Sequence, residues 1–478
     1  MLARHPATWE NELLTWGCVA WEYRAYVASR RYQRSFTQGF VSCLCHAGGT
    51  PCILLVLARR ISIEARMLPL DLKETLVFIL AGGAGSRLAP LTLQRAKPAV
   101  PFGGSYRIID FTLSNCIHSG LRRIHLLTQY QARSLEEHIR FGWNFLPRRL
   151  EQWITCSPPH HVSVGKWYRG TSDAIYHNID SIYDWQPNNV VILSGDHIYQ
   201  MDYRDMLREH IEHEAALTIS AIKIPVEEAS SFGILQVDDE NRITGFVEKP
   251  QENAPEIPGQ PGYCLASMGI YVFETEELVR RLQYDGKLPE GEGGDFGHHV
   301  IPRMLGEVPI YAHLFQGLGG EEEPYWRDVG TIEAYFDAQM DLCDIKPSLN
   351  LYRKDWPTYT LWHNDPPAKT VFNEEGDGRR AEVVDSLLAP GVVVSGGKIR
   401  RSILSNRVYV DEQALVEESI VMRGARVGKN CKLKRCIIDK WNEVPEGTEI
   451  GYDREADERR FTVSPTGIAV VPQNYQWD

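Results

Sequence analysis

Twelve aliphatic residues near the C-terminal end fall at a fixed spacing: Leu387, Val393, Ile399; Leu404, Val410, Val416; Val421, Val427, Leu433; Ile438, Val444, Ile450. Each triplet steps by six, and successive triplets start seventeen apart. A hexad that recurs three times per turn predicts a parallel β-helix over residues 381–478. Each coil then buries its aliphatics only against its neighbours, so the stack is a one-dimensional core. No histidine lies among residues 381–478, which excludes acyl transfer by a coil-borne histidine base. The coil therefore reads as structural, for subunit contacts and regulation.

A second constraint sits at 77–110, VFILAGGAGSRLAPLTLQRAKPAVPFGGSYRIID. Val77-Phe78-Ile79-Leu80 is short and apolar, as a buried parallel strand requires. Ala81 leads into a turn carrying Gly82, Gly83 and Gly85. Glycines let backbone approach a ligand closely, and exposed N–H groups in such a turn cradle phosphate. Arg87 and Lys97 follow, two fixed cations suited to a triphosphate carrying about four negative charges. No Gly-Lys-Ser/Thr follows, so the turn is not a P-loop, and the third glycine of a dinucleotide fingerprint is missing.

Residues 107–121 carry apolar side chains at helical spacing, and IHLLTQY predicts the next strand with Gln129 at its C-terminal end. Trp167-Tyr168-Arg169-Gly170-Thr171-Ser172-Asp173 predicts a turn and then a helix DAIYHNIDSIYDW, with Thr171 or Ser172 as its cap. Asn189-Val190-Val191-Ile192-Leu193 reads as a buried strand delivering Asp196 to the ligand side of a parallel sheet. A carboxylate beside phosphates needs a cation, and Mg2+ takes one or two carboxylates and fills the rest with phosphate and water. Residues 234–248 read as a hairpin that presents Glu248-Lys249-Pro250. Pro324-Tyr325-Trp326-Arg327-Asp328 supplies a second acid, and Thr331 starts a helix after it. The stretch 345–380, rich in Pro, Asn, Asp and aromatics, reads as a linker with short ordered pieces.

The string Leu-Ala-Gly-Gly-x-Gly-x-Arg-Leu, then Arg95-Ala96-Lys97-Pro98, Phe102-Gly103-Gly104 and Arg107-Ile108-Ile109-Asp110, resembles the signature of the sugar-nucleotide pyrophosphorylases. Its fuller wording is similar to that of the bacterial glucose-1-phosphate adenylyltransferases. The resemblance runs from the first glycine turn to near the C-terminus. It implies an α/β, Rossmann-like, mostly parallel sheet over residues 67–344, followed by a left-handed coil at 381–478. It also implies that Leu80, Ala81, Gly82, Gly83, Gln129, Tyr168, Gly170 and Thr171 meet the nucleotide. A strand-end glutamine that merely caps a loop is an equal reading of Gln129. Gly233, Glu248, Lys249 and Ser267 would meet the sugar phosphate, with Arg87, Lys97 and Asp196 catalytic and Mg2+ on Asp196 and Asp328. The implied substrates are ATP and glucose 1-phosphate, in a cytoplasmic homotetramer tuned by small-molecule effectors. Gln94 and Ala84 stand where relatives place an activator-contacting lysine and an arginine, and His298 follows Asp295-Phe296-Gly297 where lysine is usual. The rivals are the same chemistry with UTP or dTTP, and a non-catalytic regulatory subunit.

A net charge of −12 argues against nucleic acid or a membrane surface as partner, and no apolar run is long enough to span a bilayer. The ten cysteines show no framework spacing and read as reduced thiols. Residues 1–66 differ from the rest, with eight Arg, four Glu and no Lys or Asp. They read as an extension without a part in the chemistry, ahead of a natural start at Met67.

Overall fold

The computed structural model describes residues 70, 72–159, 167–289, 291–318, 324–371 and 380–477. The expected extension, with Cys43 and Cys45, lies outside the described residues. Strand β1 (Thr75–Ala81) is buried because it has a parallel neighbour on each side. Those neighbours are β2 (Arg123–Thr128) and β4 (Asn189–Ser194), and β3 (Trp153–Ser157) continues the sheet beyond β2. Chain order thus reverses at β1: it runs outward through β2 and β3, then returns to β4 on the other side. That reversal opens a crevice at the carboxyl ends of β1 and β4. The long strand β5 (Tyr263–Glu274) runs antiparallel to β4, and the hairpin of Gly233–Val237 and Ile243–Glu248 joins it farther out.

Helix α1 (Ile108–His118) has ten of its eleven residues buried, matching the apolar spacing read for 107–121. The expected single helix from Asp173 to Trp185 is instead two, Thr171–Tyr176 and Asp180–Trp185. Asn178 lies between them, and its amide donates back to the Ala174 carbonyl at 2.8 Å, a local side-chain bond that competes with the helical ladder.

The C-terminal coil is a left-handed parallel β-helix of three ribs. Leu404, Val421 and Ile438 stack in register, as do Val410, Val427 and Val444, and Ile399, Val416, Leu433 and Ile450. The first turn departs from the seventeen-residue step. Leu388, not Leu387, pairs with Leu404, and Val394, not Val393, pairs with Val410. Val394 is fully buried while Val393 is half-buried, so the first turn is one residue shorter, on the side between Val394 and Ile399. Lys369–Val371 already pairs with Val393–Ser395, ahead of residue 381.

One outer face of the coil is also apolar. Ile403, Ile420, Ile437 and Val470 point away from the coil axis into a shared core with Phe102, Ile108, Phe111, Tyr335 and Phe336 of the sheet domain. Arg95 and Asp439 pair across this seam at 2.9 Å, with side chains 2% and 1% exposed, and Arg95 also donates to Gln473. The stretch expected to be a linker crosses α1. Trp356 Nε1 donates to Asn115 at 3.0 Å, Tyr359 N to Ser114 at 2.8 Å and Thr360 Oγ1 to Asp110 at 2.6 Å.

Removing one partner of a buried pair leaves an uncompensated charge. Arg95→Met is therefore expected to cost about 3–5 kcal/mol in urea unfolding, and Arg95→Met with Asp439→Leu to regain most of that loss. Purely additive losses would contradict the pairing.

Candidate active site

The crevice collects side chains from four separate segments. Gly195 follows β4, and its amide donates to the Leu80 carbonyl at 3.0 Å, which locks the end of β4 to β1. A Cβ on Gly195 would lie 2.9 Å from Ile109 and 3.1 Å from the Leu80 oxygen, so glycine alone fits there. Asp196 comes next. The short strands His197–Tyr199 and Trp326–Asp328 pair antiparallel with His197 opposite Asp328. The two acids, 132 positions apart in the chain, thereby meet.

Lys97 joins them. Its Nζ donates to Asp196 Oδ2 at 2.9 Å and to Asp328 Oδ1 at 2.7 Å, and its side chain is only 8% exposed. Gly85 explains how it arrives. Gly85 has φ +60°, and a Cβ there would stand 3.0 Å from Lys97 Cβ. The third glycine of the turn thus lets the lysine stem pass beneath it. Burial by itself would lower the Lys97 pKa, but Asp196 and then Asp328 raise it above its ordinary value. Burial alone would raise Asp196; Lys97, then His197 and the Ser194 hydroxyl, instead hold it far below the usual carboxylate range.

Arg87 is exposed at the mouth of the crevice, and a Cβ on Gly330 would stand 3.1 Å from both its Nη2 and the Asp328 carboxylate. Gly83 has open space, since a Cβ there would meet nothing within 4 Å. Leu80, Ala81 and Gly82 lie at the end of β1 and in its turn, and a Cβ on Gly82 would lie 3.0 Å from the Gln129 Cβ. Gln129 Oε1 accepts from Tyr168 N at 2.9 Å, so it fixes the backbone of the aromatic loop. The Tyr168 ring stacks on His177 at 5.9 Å, and its hydroxyl accepts from Asn178 at 3.2 Å.

Neither Thr171 nor Ser172 caps the following helix. Gly170 holds the N-cap position without a side-chain bond, pressed against the Gly294 carbonyl where a Cβ would not fit. Thr171 Oγ1 donates to Asp295 at 3.0 Å and accepts from Phe296 N, while Ser172 donates to Asp285 at 2.7 Å. Both hydroxyls are used to join the helix to the 285–296 segment. His298 is exposed.

On the other flank, Lys249 Nζ pairs with Glu248 Oε1 at 3.0 Å, and Lys249 N donates to the Phe232 carbonyl. A Cβ on Gly233 would lie 2.8 Å from Glu248 Oε2. The Phe232 ring meets Trp326 at 5.3 Å, and Trp326 meets His197 at 5.0 Å, an aromatic chain that leads back to the acids. Ser267 starts a bulge in β5 whose Gly269 lies over Ser194 and His197, with a Cβ there 3.8 Å from each.

Asp196, His197 and Asp328 each offer a ligand atom within 4.8 Å of the others, a set that fits a divalent cation. Two residues here had no assigned part in the sequence reading: Ser194, which donates to Asp196, and His197. Their only signal was a place within two residues of Asp196.

The linkage has a definite sign. The depressed Asp196 contributes stability above its unfolded pKa and loses it as pH falls; the raised Lys97 contributes below its unfolded pKa and loses it as pH rises. The stability gap between wild type and Lys97→Met should be flat from about pH 5 to about pH 9 and shrink outside about pH 4 and pH 10. Thermal unfolding across pH checks this, and a gap that widens on acidification would contradict it.

The chain matches the nucleotidyl transferase family over residues 76–345 and the GlmU-like C-terminal hexapeptide family over residues 366–471. It is 48% identical over 408 residues to glucose-1-phosphate adenylyltransferase 2 of Vibrio cholerae, covering 85% of this chain and 99% of that one. It is 46% identical over 403 residues to the glucose-1-phosphate adenylyltransferase of Dechloromonas aromatica, covering 84% and 91%. It is 47% identical over 403 residues to that of Koribacter versatilis, covering 84% and 96%. With its sheet, its crevice and its coil all accounted for, the chain belongs to the glucose-1-phosphate adenylyltransferase family of nucleotidyl transferases.

Proposed function

We propose that this chain transfers the adenylyl group of ATP to α-D-glucose 1-phosphate, giving ADP-glucose and pyrophosphate. The observation that carries this reading is the meeting of Asp196, Asp328 and Lys97 at the carboxyl ends of β1 and β4. A phosphate oxygen of glucose 1-phosphate attacks the α-phosphorus of ATP in line, a P–O bond forms, and the bond to the β-phosphate breaks with pyrophosphate leaving. The nucleophile is already an anion at neutral pH, so the site needs no strong base. Rate acceleration then comes from positioning and from fixed charge. A Mg2+ ion held by Asp196 and Asp328 would neutralise charge on the reacting phosphates. Arg87 and Lys97 hold the departing phosphates, the amides of Gly82 and Gly83 face them, and Tyr168 walls the adenine with Gly170 and Thr171 beside it. Lys249 fixes the sugar phosphate, while Glu248, Gly233 and Ser267 line the glucose.

The reading extends to a cytoplasmic homotetramer that supplies ADP-glucose for glycogen synthesis and answers to small-molecule effectors. Arg95, two residues from Lys97, is buried against Asp439 of the coil, and this supports a coupling of coil to crevice. Gln94 stands where some relatives place an activator-contacting lysine and Ala84 where many have arginine, which leaves the identity of the effector to a screen of metabolites.

Pyrophosphate release from the isolated chain tests the activity. ATP should exceed UTP and dTTP at least about tenfold in kcat/KM, and Asp196→Asn should lower kcat by about 10³-fold. Near-normal turnover in Asp196→Asn would overturn the assignment, and equal use of UTP would overturn the base.

A further inference from the structure

We infer that His197 is a third ligand of the catalytic cation, supplying nitrogen to a site otherwise built of carboxylate oxygen. The inference rests on the metal role proposed for Asp196 and Asp328. Its starting point is register. His197 stands directly opposite Asp328 in the antiparallel pair, and opposite residues project to the same face of a sheet. The imidazole therefore faces the same space as the Asp328 carboxylate, and Asp196 is its chain neighbour.

The ring is held by packing alone. The Trp326 ring meets it edge-on at 5.0 Å, and Gly269 of the β5 bulge closes over its Cε1. Among the described residues neither ring nitrogen makes a hydrogen bond. Nδ1 is buried without a partner, and Nε2 stands 3.6 Å from Asp196 Oδ1, too far for one. A largely buried imidazole with no hydrogen bond is costly, and it stands beside acids that are paired with Lys97. A metal ion beside Lys97, on the carboxylate oxygens that the ammonium leaves free, would give Nε2 a partner. The 3.6 Å from Nε2 to Asp196 Oδ1 and the 4.8 Å limit over all three residues suit ligand atoms around one ion.

The consequence is metal preference. Mg2+ favours oxygen, whereas imidazole suits the first-row transition ions. The site should hold Mn2+ more firmly, relative to Mg2+, than two carboxylates alone would.

The test uses the full-length chain labelled with 15N-histidine, with Mn2+ and unlabelled ATP but no sugar phosphate, read by pulsed EPR. Wild type should show a 15N coupling to Mn2+ that His197→Gln abolishes. His197→Gln should weaken Mn2+ about tenfold while changing Mg2+ competition much less. The wild-type coupling needs no variant, so misfolding of His197→Gln does not blunt the test. Absence of 15N coupling, with Mn2+ binding still lost in Asp196→Asn, would overturn the histidine ligand and leave the two-aspartate site standing. Mn2+ binding unchanged in Asp196→Asn would overturn the metal site itself and the ligand with it.

Discussion

Everything at the crevice depends on one ammonium group between two carboxylates. Asp196 ends the motif after β4, Asp328 arrives on a short strand far downstream, and Lys97 comes from beneath the glycine turn. Two acids this close repel, and a buried cation makes their proximity stable. The raised Lys97 and depressed Asp196 are two views of that arrangement. A site poised in this way presents positive and negative groups in fixed places, which is what in-line transfer between phosphates needs.

The coil is part of that arrangement rather than an appendage. Its outward isoleucines complete a core with α1 and the 332–340 helix, and a short hairpin, Pro101–Phe102 with Tyr106–Arg107, joins the Lys97 segment to α1. Arg95 reaches across to Asp439 from a position two residues before Lys97. Any shift of the coil against the sheet domain must either stretch that buried pair or move the loop that carries the lysine. A path from coil to crevice therefore exists in named contacts, without a long chain of intermediates.

Much of this was legible in the sequence, and the failures have physical causes. Buried strands announce themselves by apolar runs, so β1 and β4 were readable, and Asp196 followed from the rule for parallel sheets. The coil was readable because its core repeats. Its first turn was misplaced by one residue at Leu388 and Val394, since a shorter corner leaves the aliphatic pattern ambiguous where two apolar residues are adjacent. The outward face was visible only in hindsight: Ile403, Ile420 and Ile437 recur every seventeen residues at a position that a lone coil would expose. Thr171 and Ser172 looked like caps because caps are local, but distant Asp295 and Asp285 claim their hydroxyls. His197 was hidden by its neighbour, because its meaning comes from a cross-strand partner that no spacing announces.

The proposed reaction requires one cation position bounded by Asp196, Asp328 and the 82–87 turn. The most direct measurement is an anomalous difference map from crystals of the full chain grown with Mn2+ and ATP. The account predicts a single strong Mn2+ peak between the carboxylates of Asp196 and Asp328, with the triphosphate against Gly82, Gly83 and Arg87. A peak elsewhere, with those two carboxylates free of metal, would contradict it.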